Sequence, residues 1–116
     1  MNLDGIDLLN RGEQLMELLN QTIDDYEVAG YELAKKEQEY KILYRQKALV
    51  EMANGMKVTF ISQFLVGDEE VAEKRFQRDC AETKYKALSE KINAIKLQLR
   101  VNESATVREW SRYDNN

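Results

Sequence analysis

The chain has no histidine, no proline, one cysteine and five glycines in 116 residues. The missing histidine removes the commonest general base near neutral pH and the commonest zinc ligand together. A lone Cys80 excludes an intramolecular disulfide, and a single thiol replaces neither of those functions. The absence of proline, with few glycines, argues against a turn-rich all-β fold and favours long helices. No apolar run approaches the roughly 18 residues that span a bilayer. The first residues, "MNLDGIDLLNRGEQ", are acidic where a secretory leader would be basic, so the chain is expected in the cytoplasm. No P-loop, dinucleotide fingerprint or metal-ligand spacing occurs. Acid pairs such as Asp24–Asp25 and Glu69–Glu70 are neighbours that point apart on a helix. No enzyme activity, cofactor or metal is therefore expected.

What is present is charge, unevenly placed. Residues 1–33 hold eight acids and one base, 34–66 hold three acids and six bases, and 67–116 hold ten of each, for a net charge of −4. That total is not the signature of a strongly basic nucleic-acid binder.

Hydrophobic spacing organises the chain as one all-α domain. From 13 to 54, Leu15, Leu19, Tyr26, Ala29, Leu33, Tyr40, Leu43 and Val50 recur at 4-3-4-3 spacing, with Thr22, Lys36 and Lys47 in the remaining slots. This is the seam of a helix packed along another helix. Leu18, Ile23 and Tyr44 widen the stripe, and Asn54–Gly55 should stop the helix. A second long helix is expected over 69–110, N-capped by Asp68, with Ala81, Tyr85, Leu88, Ile92, Ile95 and Leu99 as its seam. Asn102 and Thr106 then occupy slots where apolar residues should continue. Trp110 is placed to anchor the end, and residues 111–116 are expected to fray. Whether residues 1–12 form a separate helix stays open. Two matched helices joined by a short link imply a long antiparallel hairpin, and its wide stripe implies oligomerisation.

The link is "MANGMKVTFISQFLVGDEEVA", the most apolar stretch. As a short helix over 59–66 started by Thr59, it puts Phe60, Ile61, Phe64 and Leu65 on one arc. Such a helix would close the end of the hairpin, with Phe60 and Phe64 as plugs, or else present those four residues to a partner. Cys80 should be a buried structural thiol. In "YELAKKEQEYKILYRQK", cations Lys35, Lys36, Lys41, Arg45 and Lys47 interleave with Tyr40 and Tyr44, a composition that suits single-stranded nucleic acid. Seam packing of the tyrosines is the competing reading. A helix-turn-helix over "VTFISQFLVGDEEVAEKRF" is rejected, because Asp68, Glu69 and Glu70 would face phosphates.

The run "GDEEVAEKRFQRDCAETKYKALSEKINAIKLQLR", the later "REW" and the upstream "GMKVTFISQFLVG" resemble small helical proteins of unassigned function from temperate phages of Gram-positive bacteria. The resemblance spans Tyr31 to Trp110 and fits least well over 101–107. It implies an early gene near recombination and replication functions, and it carries no site residues to transfer. The expected function is that of a non-enzymatic, oligomeric interaction protein binding a phage or host protein. The alternative is a nucleic-acid-binding recombination accessory using residues 31–47.

Overall fold

The structure, a computed structural model, describes residues 4–114, with side chains as far as Arg112. It is all-α: α1 (Gly5–Ala53), α2 (Val58–Val66) and α3 (Glu69–Asp114), with no strand among the described residues. The long helices form a helical hairpin with α2 as the connection. They group into two compact units, residues 1–27 with 87–116, and residues 28–86.

The expected helix signals are present, and α1 starts earlier than its seam suggested. The Asp4 carboxylate accepts the Asp7 backbone N–H at 2.9 Å, so Asp4 caps α1 and the first residues belong to the long helix. At the other end, the Gly55 N–H donates to the Met52 carbonyl at 3.1 Å and the Met56 N–H to the Glu51 carbonyl at 3.0 Å. Gly55 has φ +92°. These are the two bonds and the left-handed glycine of a Schellman stop. Nothing lies within 4 Å of a Cβ added at Gly55. Gly55→Ala should therefore lower stability by roughly 1–2 kcal/mol from backbone strain alone, readable by urea denaturation; an unchanged midpoint would contradict the strain argument.

The unit 28–86 is a closed hairpin end. Ala29, Val71 and Ala81 are buried along its seam, and Leu33, Tyr40 and Leu43 are half-buried. Val50 is 57% exposed, so the α1 seam ends before it. Gly30 lies where an added Cβ would come within 3.1 Å of the Tyr85 ring, which explains its place inside a helix. α2 begins at Val58, with Lys57 in the cap position and no side-chain cap, so Thr59 is inside the helix rather than starting it. Asp68 caps α3 as expected: its carboxylate accepts the Val71 N–H at 3.1 Å.

The unit 1–27 with 87–116 pairs the start of α1 with the end of α3, antiparallel. Leu8, Leu15, Leu19, Thr22 and Ile95 are buried. The Thr22 hydroxyl donates to the Leu18 carbonyl at 2.7 Å, which lets a polar residue fill a seam slot. α3 runs without a break through 101–107 and on through 111–114, residues expected to fray; 115 and 116 lie outside the described residues. Asn102 is 8% exposed and holds its seam slot by donating to the Leu8 carbonyl at 3.0 Å. Gly12 makes room for it, since an added Cβ would stand 3.0 Å from the amide nitrogen. Trp110 is half-exposed and lies against Gly5.

Candidate interaction surfaces

Three surfaces carry the residues singled out in the sequence, or residues it left unremarked. The first is the basic, tyrosine-containing stretch of α1. Helical periodicity splits it between the seam side and the outer side. Lys36, Tyr40, Tyr44 and Lys47 are half-buried, while Lys35, Lys41 and Arg45 are exposed. Those on the seam side are engaged within the chain. Tyr40 and Tyr44 have ring centroids 6.2 Å apart, and the Arg78 guanidinium lies 4.6 Å over the Tyr40 ring. The stack a base would need on Tyr40 is thus occupied by a cation from α3.

The lysines are similarly placed. Lys36 and Lys74 flank Glu39 at 3.6 and 3.5 Å, which is ion-pair rather than short hydrogen-bond distance. Partial burial pushes the Glu39 carboxyl up, and the two ammonium groups outweigh it, leaving it below the usual carboxylate value. Lys41 pairs with Glu37 at 3.5 Å. Lys47 straddles the Asp68 carboxylate at 2.9 and 3.0 Å and lies 3.6 Å from Glu70. It therefore joins the last turns of α1 to the first turn of α3 through the residue that caps α3.

This contact has a defined pH window. The hydrogen bond from Lys47 holds the Asp68 carboxyl below its ordinary value, and the same bond raises the Lys47 ammonium above its own. A depressed carboxyl contributes stability above its unfolded pKa, near pH ~4, and loses it as pH falls through the folded value. A raised lysine contributes below about pH 10 and loses it as pH rises further. Lys47→Met should therefore melt lower than the parent between about pH 4 and 10. The two melting curves should converge outside that window. A pH-independent difference would mean that Lys47 acts by packing alone.

The second surface is α2. The four residues assigned to one arc are divided by the structure. Ile61 and Leu65 are buried, Leu65 at 1%, whereas Phe60 is 53% and Phe64 46% exposed. The helix closes the hairpin end, but with the aliphatic pair; the phenylalanines do not plug it. Cys80 also departs from expectation and is exposed, in a shallow hollow with Phe76 and Lys84.

The third surface adds Leu9 and Met16, unremarked in the sequence, to the wide stripe from which oligomerisation is expected. In the unit 1–27 with 87–116, a groove runs along one face between α1 and α3, lined by Leu9, Gly12, Met16, Leu99 and Asn102. Glu13, Glu17 and Glu103 rim it. The other face of the two-helix layer has its own hollow, with Arg11, Leu97, Val101 and Ala105. Leu9, Met16, Leu18, Leu97 and Val101 are all substantially exposed. The signal that could have revealed the groove is a heptad step on α1 beside the seam, Leu9 to Met16, which lines it together with the α3 seam residue Leu99. Asn102 Oδ1 is buried without a hydrogen-bond partner.

Among the described residues no group of three or more His, Cys, Asp or Glu could hold a metal ion, and no helix is long and apolar enough to cross a membrane. No family model matches the chain, and no curated protein or solved structure was found to be similar to it.

Proposed function

We propose that the chain is a non-enzymatic helical interaction protein of a phage. It self-associates in the host cytoplasm and binds a phage or host protein in DNA recombination or replication, host takeover or defence inhibition. The observation that carries this reading is the apolar lining left open on both faces of the two-helix layer in the unit 1–27 with 87–116. Apolar side chains at helical spacing beside an already filled seam are what a third or fourth helix covers. The resemblance of residues 31–110 to early-region phage proteins supplies the biological setting.

Nucleic-acid binding through residues 31–47 has less support, because Tyr40, Lys36 and Lys47 are engaged within the chain. Affinity capture of the tagged chain from infected cells, with labelled oligonucleotides titrated in parallel, separates the readings. The expected result is a stoichiometric protein partner, with oligonucleotide binding weak at physiological salt. Tight oligonucleotide binding with a steep salt dependence, lost in Lys35→Glu and Arg45→Glu, would replace this reading with the nucleic-acid one.

A further inference from the structure

The groove lined by Leu9, Met16 and Leu99 is rimmed by Glu13, Glu17 and Glu103, in a layer whose two helices differ in charge. The α1 stretch 4–27 carries seven acids and only Arg11 as a base, while the α3 stretch 87–112 carries five bases and three acids. The layer is therefore polarised from one helix to the other. The same-face contact of two such layers has two simple twofold arrangements. With the axis across the helices, α1 lies on the second copy's α1, acid on acid. With the axis along the helices, α1 lies on the second copy's α3, acid on base.

The register makes the second arrangement specific. Gly12 stands opposite Asn102, and Gly5 opposite Glu109 and Trp110, in the antiparallel pairing. Stepping along it, Glu13 is level with Arg100 and Glu17 with Lys96, to within about one residue or ~1.5 Å. A twofold axis parallel to the helices preserves height. It therefore brings Glu13 and Glu17 of one copy beside Arg100 and Lys96 of the other, along both edges of the contact. Glu13 and Glu17 rim the groove. Lys96 is seven residues before Glu103, on the same side of α3, and Arg100 is one turn further on.

We propose that this groove is the contact surface of a parallel twofold dimer, a four-helix bundle in which α1 of each copy lies beside α3 of the other. This deepens the self-association within the proposed function and rests on that reading. Leu9, Met16 and Leu99, which line the groove, become its core, and the charged rows seal its edges. Asn102 fits the same arrangement. It lines the groove, is more than nine-tenths buried, and its Oδ1 has no donor within the chain. The parallel axis sets the two copies of Asn102 at equal height, where a seam amide selects register and pairing.

Light scattering over a micromolar concentration series on the full chain, with circular dichroism on each variant, tests this. The parent should show twice 13.6 kDa. Met16→Lys should be monomeric with parent-like helicity, and Leu18→Lys, on the opposite face, should remain a dimer. The double variant Glu13→Gln, Glu17→Gln should dissociate about tenfold more readily, through loss of four exposed pairs. A double variant that dimerises more tightly would mean α1 stacks on α1 and would overturn the proposal. So would a dimer that survives Met16→Lys and is lost in Leu18→Lys. A monomeric parent that still captures a protein partner would overturn the dimer while leaving the interaction reading intact.

Discussion

Ile95→Asp is expected to abolish cooperative folding of the unit formed by residues 1–27 and 87–116. Ile95 is 3% exposed and sits in the α3 seam among the buried Leu15, Leu19 and Thr22 of α1. The substitution removes an aliphatic side chain from the seam and forces either a buried carboxylate or a protonated acid into the space. The lost burial and the desolvation together should cost several kcal/mol, about 3–5 at least. That is a large fraction of what a thin helical layer can hold. Helical ellipticity should fall by roughly the share of these residues, and any remaining transition should report the closed hairpin end. Parent-like melting would show that the seam is registered differently, because an aspartate on the open side of α3 would be nearly silent.

Leu65→Ala should destabilise the unit 28–86 by about 3 kcal/mol, the usual result of emptying a fully buried aliphatic site. Phe64→Ala, one residue away, should cost clearly less, about 1 kcal/mol, because nearly half of the side chain is already exposed. The contrast is the useful measurement, since the two substitutions change the same nine-residue helix. Equal losses would mean that the phenylalanine side of α2 is also packed. A loss confined to Phe64→Ala would reverse the helix on its axis. If Phe64→Ala leaves stability unchanged yet removes a captured partner, the exposed phenylalanines are the docking surface and the aliphatic pair is the cap.

Part of this fold could be read directly from the residues. The 4-3-4-3 spacing from Leu15 to Leu43 and from Ala81 to Leu99 places side chains along one line of a helix wherever that helix goes, because 3.6 residues make a turn. Asn54–Gly55 stops α1 because the left-handed conformation it adopts is nearly free only to glycine. Asp68 caps α3 because its short carboxylate reaches the Val71 N–H from the residue before the helix. The basic stretch was partly legible too. Its periodicity put Tyr40 on the seam, but Arg78 and Lys74, distant in sequence, decided what Tyr40 and Glu39 touch.

Other features depended on what stands opposite. An amide at 102 interrupts the apolar track of α3, and only Gly12 on α1 gives it the room to stay buried and reach the Leu8 carbonyl. The arc of Phe60, Ile61, Phe64 and Leu65 follows from 100° per residue. Its rotation against the hairpin end does not, because a nine-residue helix turns freely about its axis until the surrounding helix ends close around it. Periodicity says which side chains share a side. Only the packing of one helix on another decides which part of that side is inside, and there it chose Ile61 and Leu65 and left the two phenylalanines half-exposed.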